Sequence, residues 1–284
     1  MNLLSPSELK NLLSKYETRP SKGLGQNFLI DERILEKIVA SANIRSTDTI
    51  LEVGPGMGVL TQELAKKAKK VIAIEKDQTM VEILNDVLNA SNVKNVEIVP
   101  ADILQANIQN LTPNTYKLVA NIPYYLTSPL IRKFLECNNP PQEIILMIQK
   151  EVAQRICARA GEMSLLSVSV QFYANAKIVS HVSKNCFWPS PKIDSAIIKI
   201  VPEKKYAISP DLFFTVVKAG FSQPRKQLVN NLTTLKTVNS VKLNNLSKEQ
   251  VAEWLLKNNL KPNQRAETLT IQDWVNLTKS LEKI

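Results

Sequence analysis

Histidine and cysteine are scarce in this chain, whose 284 residues include one histidine and three cysteines. Cys137, Cys157 and Cys186 are an odd number and form no C-x-x-C pair, a pattern that favours reduced thiols in the cytoplasm. With His181 as the single imidazole, a zinc site lacks ligands and a Cys–His nucleophile lacks a base. We therefore predict no metal centre and a structural role for His181.

Long apolar runs are also missing. No run approaches the roughly 20 residues needed to cross a membrane, and charges interrupt residues 1–15 where a signal peptide would need an apolar core. Internal repeats are absent as well. We predict a cytoplasmic protein of one or two domains with no membrane partner.

Positive charge is concentrated toward the C-terminus. Residues 203–284 hold 13 Lys and Arg against 7 Asp and Glu, so +6 of the net charge of +10 lies there. This asymmetry favours a polyanion-binding surface, for which nucleic acid is the obvious candidate, with ordinary solubility charge as the alternative. A charged, proline-containing segment at 202–210 predicts a boundary between domains 1–202 and 203–284.

A strand–turn–helix–strand pattern stands near the start of the first domain. A strand over 49–53 leads into the glycine turn 54–58, then a helix, then a strand over 71–74 that ends in Glu75. This is the βαβ arrangement that binds nucleotides, in which glycines admit a ligand close to the backbone and the acid pairs with a ribose diol.

The glycine spacing distinguishes between cofactors. Gly54, Gly56 and Gly58 give G-x-G-x-G, whereas the dinucleotide fingerprint is G-x-G-x-x-G. The turn looks like an S-adenosylmethionine loop, which seats no pyrophosphate. NAD binding and a purely structural glycine turn are the alternatives.

Two further segments are candidates for cofactor contact. Asp102 follows a third strand over 96–99, where a carboxylate can accept a hydrogen bond from an adenine amino group; a turn or capping acid is the alternative. The polar segment 21–29 is interpreted as a loop folding over the ligand crevice, with Asn27 as a contact and Phe28 and Leu29 as an anchor. A simple linker is the alternative.

The motif Asn121-Ile122-Pro123-Tyr124 follows the apolar run 118–120, which predicts a fourth strand ending at Asn121. Ligands of open α/β sheets bind beyond the carboxyl ends of strands. The Asn amide oxygen and a carbonyl of the turn can accept both hydrogens of an exocyclic amine, while Tyr124 offers a stacking face. A strand-ending turn with a partly buried tyrosine is the alternative.

Later segments complete the pattern. Residues 164–174 fit a helix or a strand, and the proline-rich loop 187–195 would project Phe187 as a second stacking face. Residues 211–280 predict helices throughout, and Arg225 and Lys226 are predicted to start one that grips phosphates. Alternatives are a packing aromatic for Phe187 and a solvated basic face for the two cations.

With these residues in view, the chain resembles the ribosomal RNA adenine dimethyltransferase family, the small-subunit enzyme in particular. The matching segments are Gly25-Gln26-Asn27-Phe28-Leu29, Glu52-Val53-Gly54-Pro55-Gly56, Glu75, Ala101-Asp102, Asn121-Ile122-Pro123-Tyr124, Gln149-Lys150-Glu151-Val152, residues 187–195, Phe221-Ser222-Gln223, Arg225-Lys226 and Arg265-Ala266-Glu267. The resemblance implies an α/β fold: a Rossmann-like S-adenosylmethionine-dependent methyltransferase sheet with a small all-helical C-terminal domain. It places cofactor contacts on Asn27, Leu29, Gly54, Glu75, Asp102 and Asn121.

The resemblance also implies a substrate. Family members dimethylate N6 of two adjacent adenosines near the 3′ end of small-subunit ribosomal RNA, so the expected partners are this RNA and the immature 30S subunit, bound by a monomer. One departure is Pro224, which stands before Arg225-Lys226 where the family usually has another arginine. Rival functions are large-subunit RNA methylation conferring macrolide resistance, a ribosome-assembly checkpoint and, remotely, transcription.

The motif suggests how an asparagine would serve methyl transfer. Hydrogen bonds from the adenine amino group to Asn121 and to the carbonyl of Ile122 or Pro123 would aim the nitrogen lone pair at the methyl donor. No strong base is required, because the product ammonium loses its proton readily. This accounts for a site with Asn121 and no histidine. The target adenine must leave its stack, and Tyr124 and Phe187 would replace that stacking.

Overall fold

The structure is a computed structural model that describes residues 2–21, 23–235 and 246–281. Within these residues, no helix has both the length and the apolar character needed to span a bilayer.

The chain divides into two compact units. The first, called the sheet unit here, comprises Met1–Ala153 and Asn175–Pro202; the second, the helical unit, comprises Gln154–Ala174 and Glu203–Ile284. This division differs from the predicted domains in residues 154–174. These residues join the helical unit because apolar side chains such as Phe172 pack in its core.

The strands are β1 (Phe28–Leu29), β2 (Thr49–Val53), β3 (Lys70–Glu75), β4 (Val96–Pro100), β5 (Lys117–Asn121), β6 (Ile144–Gln149), β7 (Ala174–Val182), β8 (Phe187–Trp188) and β9 (Ser195–Pro202). The helices are α1 (Pro6–Lys15), α2 (Glu32–Ser41), α3 (Val59–Ala65), α4 (Gln78–Ala90), α5 (Ile108–Leu111), α6 (Thr127–Glu136), α7 (Lys150–Ile156), α8 (Leu165–Tyr173), α9 (Pro210–Gly220), α10 (Leu228–Leu232), α11 (Lys248–Lys257) and α12 (Ile271–Leu281). Short 3₁₀ turns include Tyr124–Leu126.

Seven strands form one sheet in the order β4-β3-β2-β5-β6-β9-β7. Strands β2 to β6 run parallel, and β9 is antiparallel to β6. The central strands are buried on both faces, as their continuous apolar sequences predict: every residue of Ile144–Ile148 is fully buried. Chain order reverses between β2 and β5, so the carboxyl ends of these two strands flank a topological switch point, where such sheets bind ligands.

Polar caps fix the helices beside this crevice. The Asp31 carboxylate accepts from the backbone of Arg33 and Ile34 and begins α2, as predicted. Asp77 begins α4 in the same way through Thr79 and Met80. Both caps lie just after segments that line the crevice, so they fix the point at which each of these segments leads into its helix.

The helical unit packs α8, α9, α10, α11 and α12 around large apolar side chains. Gly220 ends α9 where a Cβ would lie 2.3 Å from the Trp274 ring, so glycine permits this close helix contact. The buried Asn231 side chain donates to the carbonyls of Gly220 and Gln223 at 2.7 and 3.0 Å and holds the turn after α9.

Two predictions about local structure need correction. Residues 164–174 contain both alternatives, because α8 ends at Tyr173 and the unpredicted strand β7 begins at Ala174. Arg225 and Lys226 do not start a helix: they lie in an exposed turn, and α10 begins at Leu228. Pro224 belongs to this turn. Residues 236–245, also predicted helical, lie outside the described residues.

Candidate functional site

A cavity of about 240 Å³ lies in the sheet unit at the carboxyl ends of β2, β3 and β5. The predicted cofactor and target residues that line it are Asn27, Leu29, Gly54, Gly56, Glu75, Asp102, Asn121, Pro123, Tyr124 and Phe187. Asn27 and Phe187, which are 160 positions apart in sequence, therefore share one site. Arg225 and Lys226 belong to the other unit.

The glycine turn after β2 forms one wall of the cavity. Gly54 and Gly56 have φ values of +65° and +56°, a left-handed conformation that favours glycine. A Cβ on Gly56 would lie 3.3 Å from the Phe28 ring. The turn therefore needs glycine both for its backbone conformation and for its packing.

Glu75 ends β3 beside this turn and is 8% exposed. Its carboxylate accepts hydrogen bonds from the backbone N–H groups of Gly56, Lys76 and Asp77 at 3.1, 2.8 and 2.9 Å. Burial raises the pKa of Glu75, and the three N–H groups oppose that rise. The side chain is thus fixed at the cavity as a hydrogen-bond acceptor.

A second buried carboxyl, Glu52, also lines the cavity. It belongs to β2 and is 1% exposed, and its Oε2 has no hydrogen-bond partner among the described residues. Burial raises the pKa of Glu52 to about 8, with the nearby Thr61 hydroxyl lowering it in part and the charge of Glu75 adding to the rise. We therefore expect Glu52 to carry a proton at neutral pH.

Asp102 follows β4 and lines the cavity. Its Oδ1 accepts from the Leu104 N–H at 2.9 Å, and its Oδ2 pairs with the Lys76 Nζ at 2.8 Å. The hydrogen bond from Lys76 holds the pKa of Asp102 below its usual range. This carboxylate is therefore ionised, unlike Glu52.

The segment carrying Asn27 is held over the cavity by strand pairing. Phe28 pairs with Trp188 and Leu29 pairs with Phe187 in the small antiparallel sheet β1–β8. Leu3 and Leu9 of the N-terminal segment also line the cavity.

Asn121 ends β5 and faces the cavity with Tyr124. The Asn121 side-chain amide makes no hydrogen bond to another residue that the structure describes, which leaves its oxygen and NH₂ group available. The Tyr124 hydroxyl is hydrogen-bonded to the buried Ser195 Oγ at 2.8 Å, and burial raises the pKa of this phenol. Phe187 is only 3% exposed, so it borders the cavity as a packed ring.

Sequence reasoning missed three residues of this site. Glu52 was part of a matched motif but received no role, although a charged residue within a buried strand is an unusual signal. Ser195 and Lys76 gave no signal, because their contacts with Tyr124 and Asp102 arise only when distant segments meet.

Comparison with known proteins defines the class. The crystal structure of a dimethyladenosine transferase from Plasmodium falciparum is similar with a TM-score of 0.74 and 28% identity, covering 90% of this chain and 97% of that chain. The crystal structure of the 23S rRNA methyltransferase ErmE is similar with a TM-score of 0.72 and 26% identity, covering 90% and 100%. The fold is that of a Rossmann-like methyltransferase, as predicted.

The family follows from the sequence as a whole. The family described as ribosomal RNA adenine dimethylase matches residues 18–283. A protein named ribosomal RNA small subunit methyltransferase A from Alkaliphilus metalliredigens is 42% identical in an alignment of 289 positions that covers 98% of each chain. The chain belongs to the ribosomal RNA adenine dimethylase family, and the predicted family is confirmed.

Proposed function

We propose that this protein dimethylates N6 of two adjacent adenosines in the 3′-terminal hairpin of small-subunit ribosomal RNA, using S-adenosylmethionine, during assembly of the 30S subunit. The observation that carries the proposal is the presence of Asn121 and Tyr124 in one cavity with Glu75 and Asp102. The 42% identity to a protein named as a small-subunit methyltransferase supports the choice of RNA.

The cavity residues fit S-adenosylmethionine, which supplies, when bound, a methyl group on a positively charged sulfur. Glu75 accepts hydrogen bonds from the ribose diol, and Asp102 accepts from the adenine amino group. Gly54 and Gly56 admit the ligand against the backbone. The partnerless buried Glu52 Oε2 supports the fit, because a buried polar atom without a partner favours a polar ligand. Asn27 and Leu29 cover the ligand and exclude water.

The opposite side of the cavity receives the target base. Asn121 and the carbonyl of Ile122 or Pro123 accept the two hydrogens of the adenine amino group and orient its nitrogen. Tyr124 stacks on the base, and its hydrogen bond to Ser195 holds the ring in place. Phe187 packs at the border of the same cavity and limits how far the base can enter.

The helical unit binds RNA phosphates in this proposal. Arg225 and Lys226 are exposed on a turn that the buried Asn231 anchors, which suits contact with a flexible polyanion. The active form is a monomer. Arg225 and Lys226 lie in a turn and not at the predicted helix start, because α10 begins at Leu228. Both residues keep their positive charge in this position.

Methylation of large-subunit RNA is the second candidate, and the similarity to the 23S rRNA methyltransferase ErmE favours it. That similarity is 26% in sequence, lower than the 42% identity to the relative named for the small subunit. A role chiefly as an assembly factor is the third candidate. Among the described residues, the Glu52 Oε2 atom and the Asn121 amide in the cavity have no hydrogen-bond partner, and this favours a catalytic role.

The test is methyl transfer from labelled S-adenosylmethionine to small subunits that lack the modification, with large subunits as the control. We expect label recovered as N6,N6-dimethyladenosine from small-subunit RNA. Label in large-subunit RNA alone would assign the second function. Cofactor binding without any transfer would support the assembly role.

A further inference from the structure

An exposed apolar rim stands at the mouth of the cavity. Five large hydrophobic residues are exposed among those described, and two of them, Tyr125 at 55% and Leu104 at 39%, line this one cavity. Single exposed apolar residues are ordinary, but two at the mouth of a ligand cavity mark a contact surface. None of the predicted cofactor or target contacts uses either residue.

Tyr125 lines the same cavity as Tyr124, but its side chain leaves the backbone in a different direction. Both belong to the 3₁₀ turn Tyr124–Leu126, in which successive side chains are about 120° apart. Tyr124 is anchored inward on Ser195. A Cβ on Gly25 would lie 3.9 Å from Tyr125 Cδ1, so the Tyr125 ring rests against the loop that covers the cavity while most of it stays exposed.

Positive charge accompanies the rim. The Lys133 Nζ donates to the carbonyls of Leu104 and Ala106 at 3.0 and 2.9 Å, so neutral acceptors position its charge, which also helps to lower the pKa of the nearby Asp102 carboxyl. Lys76 also lines the cavity, although Asp102 neutralises it. An aromatic face beside a cation is the arrangement that receives unpaired bases and their phosphates.

We infer that Tyr125 and Leu104 form a stacking platform for the unpaired nucleobase next to the target adenine, with Lys133 facing the connecting phosphate. The inference rests on the proposed function, because it requires an RNA strand whose neighbouring base has left its stack. Adjacent tyrosines then receive adjacent bases: Tyr124 holds the reacting one and Tyr125 holds its neighbour. Stacking makes the platform tolerant of base identity.

The test uses the full-length protein and an RNA hairpin with the sequence of the small-subunit 3′-terminal hairpin. One of its two adjacent adenosines is replaced by 2-aminopurine, whose fluorescence falls when it stacks. We expect wild-type protein and Tyr125→Phe to quench the fluorescence. Tyr125→Ala should leave it bright and bind the RNA about tenfold more weakly. Leu256→Ala, a similarly exposed apolar position on α11, is the control and should resemble wild type.

Two outcomes overturn the platform. Equal quenching by wild type and Tyr125→Ala would remove its basis. A weaker dissociation constant for S-adenosylmethionine in Tyr125→Ala, with RNA binding unchanged, would assign the ring to the cofactor. Failure of the proposed function is separate: wild-type protein would then transfer no label to small subunits, and the inference would fall with it.

Discussion

In the sheet unit, Glu75, Asp102 and Asn121 lie at or just beyond the ends of parallel strands whose hydrogen bonds fix their positions. In the helical unit, Arg225 and Lys226 lie on an exposed turn. The first arrangement suits interactions that depend on geometry, and the second suits interactions that depend on charge. Substitutions in the two units should therefore differ in size and in their response to salt and pH.

Asn121→Ala should have the largest effect. Because the amide is the proposed acceptor at the reacting nitrogen, we expect kcat to fall by about 10³-fold, the scale seen when a preorganised hydrogen bond to a reacting centre is lost. Single-turnover methyl transfer would measure it, and unchanged thermal unfolding would show that the fold survives. Asn89→Ala, on the exposed face of α4, is the control. Near-normal turnover in Asn121→Ala would contradict the view that the sheet unit acts through precise geometry and the helical unit through charge.

Glu75→Gln should come next. The glutamine side chain has one acceptor oxygen and no charge, so it cannot replace a carboxylate that accepts from Gly56 and also from a ligand. The free energy of S-adenosylmethionine binding should therefore weaken by about 1.5–3 kcal/mol. Isothermal titration would measure the dissociation constant. Glu97→Gln, at an exposed position on β4, should bind normally. Equal affinities in all three proteins would contradict the ribose assignment.

Stability of the sheet unit should depend on pH through Glu52. Its folded pKa of about 8 is raised above the unfolded value, so between about pH 4.5 and 8 the folded state holds a proton that the unfolded chain has lost. Stability should therefore fall as pH rises through this window, by up to about 1.4 kcal/mol per pH unit.

Glu52→Gln should flatten this dependence, since an amide does not titrate. Thermal unfolding from about pH 5.5 to 8.5 would measure it, with Glu97→Gln retaining the wild-type slope. The raised pKa of Glu75 has the same sign and would leave a residual slope. Identical slopes in wild type and Glu52→Gln would contradict the protonated state.

Arg225→Ala and Lys226→Ala should have the smallest effects. Each removes one charge from an exposed turn, so RNA affinity should fall severalfold at low salt and the difference should shrink as salt increases. The slope of log affinity against log salt should decrease by about one for each phosphate that the protein no longer neutralises. Lys279→Ala on α12 is a control from the same unit. A weakening that does not depend on salt would indicate a structural role.

Sequence reasoning succeeded where local patterns are sufficient. Alternating strands and helices, the Asp31 cap and the glycine turn depend on neighbours in sequence, and their elements appear within a few residues of the predicted bounds. Strand ends also converge at one edge of a parallel sheet, so the predicted residues line one cavity. Their individual roles stay predictions.

Contacts between residues that are distant in sequence could not be predicted. β7 fully buries only its two end residues, Ala174 and Val182, and no neighbouring sequence shows that residues 154–174 pack with the helical unit. The raised pKa of Glu52 depends on its complete burial by several elements. A short stretch of sequence does not show this burial. Arg225 and Lys226 are predicted to start a helix, yet they lie in a turn whose beginning is held by hydrogen bonds from the Asn231 side chain to the carbonyls of Gly220 and Gln223.

The pairing of β1 with β8 has a consequence for synthesis of the chain. Leu29 pairs with Phe187, so the segment that lies over the cavity takes its position only when a loop of roughly 160 residues has closed. A nascent chain that has emerged only as far as β6 has the strand ends and the glycine turn but not this wall. The ligand cavity is therefore completed late in translation, after the segment 154–174 that belongs to the helical unit has left the ribosome.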